Sequence, residues 1–276
     1  MALNSINTNP GAFIALQNLN SVNADLATTS NRIATGLEVA SAADNGAVFA
    51  IAQAQRAEVS GLGVAQDSLS RVGSTLDVAL SAGEAVSDLL IELRDTALAG
   101  SDTSLDTASR AALNEDFTAL RDQIQGLVDS AEFNGVNLLN GTQTGGLDAI
   151  ANADGTQTIN VAEQNLNLGS GVVTITAGAT FTTPTEAGDL VTLLDASIDN
   201  VNTSLANLGT SSRILDIQST FVSDLSDTLE VGIGNLVDAD LAEESANLTA
   251  LQTQQQLATS AFSIANSAPS ALLGLF

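Results

Sequence analysis

The side chains able to do chemistry in this sequence are few. The 276 residues include no His and no Cys, and every one of the seven basic residues is Arg. The usual neutral-pH base, thiolate chemistry and a lysine nucleophile are therefore excluded, which leaves carboxylates and hydroxyls. Paired carboxylates can hydrolyse glycosides. The candidate pairs are Asp238 with Asp240 and Glu243 with Glu244. Both pairs sit at a helix start, where acids cap free amides and complement the helix dipole, so capping is the expected role. Asn152-Ala153-Asp154-Gly155 resembles half of a calcium loop, but Ile150 stands where an acid is needed, and a turn is expected instead. Gly61-x-Gly63 and Gly169-x-Gly171 lack the third glycine and the strand–turn–helix setting of a nucleotide fingerprint. The expectation is no catalytic, cofactor-binding or metal-binding residue, and no enzyme.

The elements around these residues carry a stronger pattern. Leu62, Leu69, Leu76, Gly83 and Leu90 recur at steps of seven, and Ala65, Val72, Ala79, Val86 and Leu93 follow each by three. A helix so patterned has one narrow apolar seam that needs a partner. The helical period runs from about residue 46 to Leu98, roughly 80 Å at 1.5 Å per residue. Its glycines at 61, 63, 73 and 83 each cost about 1 kcal/mol against Ala, so lateral packing must hold it, and Gly61 and Gly63 mark the place where it could kink. A second ladder, Leu194, Val201, Leu208, Leu215, Val222, Leu229 and Leu236, returns after about residue 188. Ile198, Leu205 and Ile233 are assigned to its intermediate positions, with Ser212, Ser219 and Ser226 filling others.

Between and around the ladders the chain changes character. Residues 3–37 read as a helix on Leu16, Leu19, Leu26, Ile33 and Leu37, with Pro10 near its first turn and a polar face almost free of charge. Residues 38–46 read as a break with Asp44 as the helix cap. A helix over about 104–130, on Leu113, Phe117, Leu120, Ile124 and Leu127, is short enough to fold back on the long one. Residues 133–189, rich in Gly, Asn and Thr, predict a small β-rich excursion with strands at Thr158–Val161 and Val172–Thr176. A terminal helix starts near Leu241 and is expected to end before Pro269, leaving a Leu-rich tail.

Thirty-two acids against seven basic residues give a net charge of -25. That balance argues against nucleic acid and anionic membrane surfaces as partners. No apolar run is long enough for a membrane-spanning helix, so no membrane insertion is expected, and no positive residue precedes Arg32 as a secretory signal would require. Only 3% of residues are aromatic, whereas small side chains abound, which suits helices packed closely along their lengths.

The order of motifs resembles bacterial flagellin of the short alphaproteobacterial type, lacking large outer domains. The residues carrying this are Met1-Ala-Leu-Asn-Ser-Ile-Asn-Thr-Asn9, Asn31-Arg-Ile-Ala-Thr-Gly36, Ala42-Ala-Asp-Asn-Gly46, Phe133-Asn-Gly-Val-Asn-Leu-Leu-Asn-Gly141 and Val237-Asp-Ala-Asp-Leu-Ala-Glu-Glu244. The resemblance implies a mainly α fold of long antiparallel coiled-coil helices with a small β-hairpin region and paired termini. Residues 1–43 and 237–276 would form an inner coiled-coil domain, and 44–236 an outer helical bundle containing the β-rich excursion. It implies a subunit that polymerises into the flagellar filament for swimming. The partners implied are copies of itself, other flagellins, hook-associated junction and cap proteins and an export chaperone. Type III export to the cell exterior and O-linked sugars on the Thr- and Ser-rich middle segment are implied as well. The alternative reading is another secreted coiled-coil assembly protein, such as a hook–filament junction, needle or translocator component. Flagellins seen by the vertebrate innate receptor carry a basic residue shortly before a Glu-Leu pair. Asp88, Leu89, Leu90 and Ile91 precede Glu92-Leu93 here, so weak recognition is expected.

On this reading Ile6, Phe13, Leu16, Leu19, Leu26, Ile33, Leu248, Leu251, Phe262, Leu272 and Leu273 pack between subunits, and the terminal helices order only when neighbours bury them. Leu62, Leu69, Val72, Leu76, Val86, Leu90, Leu93, Leu208, Leu215, Val222 and Leu229 form a seam within the chain. Self-association of so acidic a chain must overcome repulsion between copies. Raising salt from about 0.01 M to 0.15 M shortens the screening length from roughly 30 Å to 8 Å. The critical concentration for assembly, read by sedimentation, should fall over that range.

Overall fold

The computed structural model describes residues 8–273, with side chains described through Ser267. The elements in chain order are α1 (Pro10–Thr35), α2 (Gly46–Gly100), α3 (Thr107–Ser130), β1 (Leu147–Ile150), β2 (Thr158–Val161), α4 (Pro184–Val237) and α5 (Leu241–Leu273). The chain divides into two compact units, Met1–Ala57 with Thr228–Phe276, and Glu58–Asp227. The division falls inside α2 and α4 rather than at the turn over residues 38–46.

In the second unit the ladder of α2 is buried at every step from Leu62 to Leu93, Gly83 included. Its neighbour is α4, running antiparallel: Gln66 donates to Ser219, and Arg94 pairs with Asp195. On α4 the buried positions are Leu194, Ser197, Val201, Ser204, Leu208, Leu215 and Val222. The intermediate positions are thus Ser197 and Ser204, while Ile198 and Leu205 are half-buried beside the seam. Leu205 lies where a side chain at Gly83 would stand, so a gap in the α2 ladder accommodates a large residue from α4. Buried Ser197 is satisfied locally: it donates to the Leu193 carbonyl and accepts from the Thr174 amide. α3 folds back on α2, and an open groove between them is lined by residues 77–85 and 127–131. Phe117 of α3 meets Phe181 edge-on at 5.4 Å, and buried Arg110 donates to the carbonyls of Gly100, Asp102 and Leu105, which closes the turn after α2.

The segment between α3 and α4 differs from the sequence expectation. The hairpin joins Leu147–Ile150 to Thr158–Val161, with Leu147 opposite Val161 and Ile150 opposite Thr158. Its turn is Asn152–Gly155, where Asn152 Oδ1 accepts from the Gln157 amide at 3.1 Å and Gly155 adopts φ 68°. Val172–Thr176 is not a strand. Its backbone is shared between α4 side chains, Ser197 on the Thr174 amide and Asn200 on the carbonyls of Gly171 and Val172, and a single bridge of Val173 with Leu168, where Gly169 donates to the Val173 carbonyl. Val173 and Ile175 are fully buried there, which explains their β-branched character without a sheet. The Phe133–Gly141 motif has a local reason too. Asn134 and Gly135, at φ 50° and 81°, make a tight two-residue turn that pairs Phe133 with Val136. Asn137 then donates to the Val128 carbonyl near the end of α3 at 2.7 Å, and Leu138 and Leu139 are fully buried.

Helix starts follow side-chain capping. Asn45, not Asp44, caps α2, accepting from Val48 at 3.2 Å. Asp44 instead accepts from the Ser41 amide and hydroxyl, and the hydroxyl bond holds its carboxyl below the usual range. One residue's offset decides this, because a cap must sit immediately before the first helical residue. Thr183 and Glu186 form a capping box at the start of α4, and the Thr182 amide holds the Glu186 carboxyl low.

The glycines of α2 separate into two kinds. A Cβ on Gly61 would lie 2.6 Å from the Ala153 carbonyl oxygen, whereas one on Gly63 would meet nothing within 4 Å. Gly61 therefore lets the hairpin turn approach the helix, and α2 continues through both positions as one helix. Gly61→Ala should destabilise the protein by about 1–3 kcal/mol in urea unfolding. Gly63→Ala should stabilise it by up to about 1 kcal/mol.

Candidate self-assembly surface

The carboxylates singled out by type have structural partners. Asp240 caps α5, its side chain accepting from the amides of Ala242 and Glu243 at 2.9 and 3.3 Å. Glu244 is buried and accepts from Arg32 at 2.8 Å. That hydrogen bond raises the Arg32 guanidinium above its already high value. Asp238 lies in a short bridge between the segments after α1 and after α4: Glu38 and Val39 donate to the Val237 carbonyl, and Ala239 donates to that of Gly36. Among the described residues no group of three or more His, Cys, Asp or Glu is placed to hold a metal.

These contacts join α1 to α5, the helix pair that dominates the first unit. Three side-chain bonds set the pair antiparallel. Asn9 reaches the Ala265 carbonyl at 2.7 Å, Gln255 reaches Asn23 at 2.7 Å, and Arg32 reaches Glu244. Between them the more covered positions alternate by three and four, as in a coiled coil: Ala12, Ala15, Leu19, Val22, Leu26, Thr29 and Ile33 on α1, and Glu244, Leu248, Leu251, Gln255, Ala258, Phe262 and Ala265 on α5. A polar residue at Gln255 within such a seam specifies register at some cost in stability.

Pro269 does not end α5, which continues to Leu273. A proline has no N–H for the carbonyl four residues back, and here that carbonyl belongs to Ala265. Asn9 fills the vacancy with its Nδ2, while its Oδ1 accepts from Ala12 at 3.1 Å to cap α1. One side chain thus serves the start of the first helix and the proline defect near the end of the last.

The residues expected between subunits fall into three groups. Leu19, Leu26, Ile33, Leu248, Leu251 and Phe262 are half-buried at the α1–α5 seam, so the single chain already supplies them a partner, and both helices are formed within it. Phe13 and Leu16 are exposed. Ile6 and the side chains of Leu272 and Leu273 lie outside the described residues. Of the residues assigned to the internal seam, those from Leu62 to Leu93 and from Leu208 to Val222 are buried in the second unit, while Leu229 is half-buried and belongs to the first. The sequence reading did not single out Ile14, Leu257 and Ile264. With Phe13 they are 61–71% exposed, and Ile14 and Leu257 border an open groove of about 410 Å³ lined by Gly11, Ala15, Ala258 and Ala261. Residues 1–24 and 245–276 carry no acid and no arginine, in a chain of net charge -25. That charge-free stretch was legible in the sequence; its outward apolar face was not.

The fold is that of a mainly helical protein whose terminal helices pair and present exposed apolar side chains on a stretch without charge. Comparison with known proteins makes the class specific. The bacterial flagellin N-terminal helical region matches residues 6–144, and the C-terminal helical region matches 191–276. The flagellin FljM of Caulobacter vibrioides is 50% identical over 276 residues, covering 100% of both chains, and the flagellin of Brucella melitensis is 33% identical over 285 residues, covering 99% of each. Among solved structures, Bacillus cereus flagellin aligns with TM-score 0.50 at 22% identity over 56% of this chain and 88% of its own. A flagellar hook-associated protein from Vibrio parahaemolyticus aligns with TM-score 0.59 at 16% identity over 71% of this chain and 100% of its own, a likeness of fold alone. The chain belongs to the bacterial flagellin family, and it is a structural subunit of the flagellar filament, not an enzyme.

Asn9→Ala removes both the cap and the partner of the Ala265 carbonyl, and should cost about 1–2 kcal/mol of local stability in the terminal pair. Asn9→Ser keeps the cap alone and should cost less. Amide exchange in α1 and α5 measures both.

Proposed function

We propose that the α1–α5 pair is the inner, subunit-to-subunit layer of the filament, and that Phe13, Ile14, Leu16, Leu257 and Ile264 are buried there by neighbouring copies. The exposure of these side chains on a face without charge carries the reading. Burying one such side chain contributes about 1.5–3 kcal/mol, and no ionised group on the pair's outer stretch must be desolvated to do so. Ile6, Leu272 and Leu273 join the same layer. The ladder from Leu62 to Leu93, packed against Leu208, Leu215 and Val222, serves as a rod that holds the second unit's outer surfaces in place.

The same reading takes the chain outside the cell by type III export with the help of a chaperone. It gives the filament's hook-associated junction and cap proteins, and other flagellins, as partners at the ends and along the length of the polymer. O-linked sugars on exposed hydroxyls of the middle segment belong to it as well.

Electron microscopy of purified chain should show long filaments. Phe13→Asp and Ile264→Asp should each raise the critical concentration by tenfold or more, since each places a charge where about 1.5–3 kcal/mol of apolar burial is expected. Assembly of either variant at the wild-type concentration would refute the placement of these residues.

A further inference from the structure

An asparagine followed by glycine is prone to cyclise, because the glycine amide nitrogen meets no side chain on its way to the asparagine amide carbon. The chain has three such pairs, Asn45-Gly46, Asn134-Gly135 and Asn140-Gly141. The fold restrains two of them. Asn45 caps α2, its Oδ1 accepting from the Val48 amide and its carbonyl from that of Phe49. Asn140 Oδ1 accepts from both the amide and the hydroxyl of Thr142, and its carbonyl accepts from Asn167. A Cβ at Gly141 would lie 2.5 Å from Asn165 Nδ2, so the backbone there is closely packed as well.

Asn134 and Gly135 have none of these restraints. Both are exposed, and a Cβ at Gly135 would meet nothing within 4 Å. Among the described residues nothing is hydrogen-bonded to the Asn134 side chain or to the Gly135 amide, because the turn is closed by Phe133 and Val136 on either side. The Asn134 side chain borders a small cavity of about 170 Å³ together with Arg71 and Asp148.

We propose that Asn134 is a site of spontaneous deamidation, set apart from the other two pairs by the freedom of its side chain and of the amide that follows. The Gly135 nitrogen gives its proton to solvent base and bonds to Asn134 Cγ. The Cγ–Nδ2 bond then breaks and ammonia leaves. Water opens the resulting cyclic imide. Cleavage of the new Cγ–N bond gives aspartate, and cleavage of the original backbone C–N bond gives isoaspartate. In sum, an amide and a water become a carboxylic acid and ammonia, with no oxidant, metal or enzyme. The two products differ in their effect on the turn. Aspartate, like asparagine, tolerates the left-handed conformation held here at φ 50°, and Arg71 on the same cavity offers an opposite charge to the acid that forms beside Asp148. Isoaspartate routes the backbone through the side chain and adds a methylene to it, which a two-residue turn between Phe133 and Val136 cannot absorb. The reaction belongs to the single chain, so it goes beyond the filament reading and does not depend on it.

Purified monomer aged in mildly alkaline buffer, folded or in urea, and analysed by mass spectrometry of peptides fragmented to single residues tests this. In the folded chain the amide at 134 should be lost about fivefold or more faster than at 45 or 140, since each hydrogen bond that must break before the ring closes slows the step by roughly that factor. In urea the three positions should convert at comparable rates. The isoaspartyl chain, separated by ion exchange, should unfold at lower urea than Asn134→Asp, and Asn134→Gly, which keeps a residue at ease in the left-handed turn, should age without that loss. A folded chain that keeps the amide at 134 while the unfolded chain loses it, or that loses it no faster there than at 45 and 140, would overturn the proposal. An isoaspartyl chain as stable as Asn134→Asp would overturn the consequence for the turn. Neither result bears on whether the chain polymerises.

Discussion

Repulsion between like copies is the constraint on which the rest of this structure depends. A chain with net charge -25 can pack against itself only where charge is removed or where a rare cation meets an acid. Both solutions are present. The outer stretches of α1 and α5 have no ionised side chain at all, and their packing relies on apolar and amide groups. Along the rest of the chain, arginines are used one at a time. Arg32 joins α1 to α5 through Glu244, Arg94 joins α2 to α4 through Asp195, and Arg110 closes the turn between α2 and α3 on backbone carbonyls. Most of the other acids are exposed to water.

Close packing follows from the same economy of side chains. With few aromatics, the second unit fills its core with Leu, Val and Ala and lets backbones approach where a side chain would intrude. Gly61 admits the hairpin turn at Ala153, and Gly83 admits Leu205. Several polar groups caught in this packing are matched, although Gln66 Oε1 and Glu163 Oε2 are buried without a hydrogen-bond partner. Ser68 receives the Ile150 amide and Gln218 reaches the Ala151 carbonyl, so the small hairpin is held by side chains from α2 and α4 in place of further strands. A two-stranded sheet alone is marginal in water, and these bonds are part of its support.

The terminal pair solves a different problem. Two helices lying side by side cover only one face each, so half-burial of Leu19, Leu26, Leu248 and Phe262 is the most that a single chain can provide. What remains uncovered includes Phe13, Ile14, Leu257 and Ile264 among uncharged Asn, Gln, Ser and Thr, beside a groove of small residues. Register therefore matters more than affinity within the pair. It is set by polar contacts at both ends and in the middle, Asn9 with Ala265, Asn23 with Gln255 and Arg32 with Glu244.

By itself the sequence determined the helices, their breaks, the two ladders and the lack of reactive side chains, because period and composition are local properties. The α2 ladder is buried as its sevenfold spacing requires, and the helix expected over about 104–130 forms as Thr107–Ser130, capped by Asp106. Partnership was decided only in three dimensions, since a period names a face and not what covers it. That is why Val172–Thr176 is a buried irregular segment held by Ser197 and Asn200, although its residues favour strands. It is also why Leu147–Ile150 pairs with Thr158–Val161, and why Ser197 and Ser204 take the intermediate positions on α4 in place of Ile198 and Leu205. Pro269 shows the division most clearly. Its missing N–H is a local fact that argues for a helix end. The helix continues all the same, and a residue 260 positions earlier in the chain, Asn9, donates to the carbonyl that the proline leaves free.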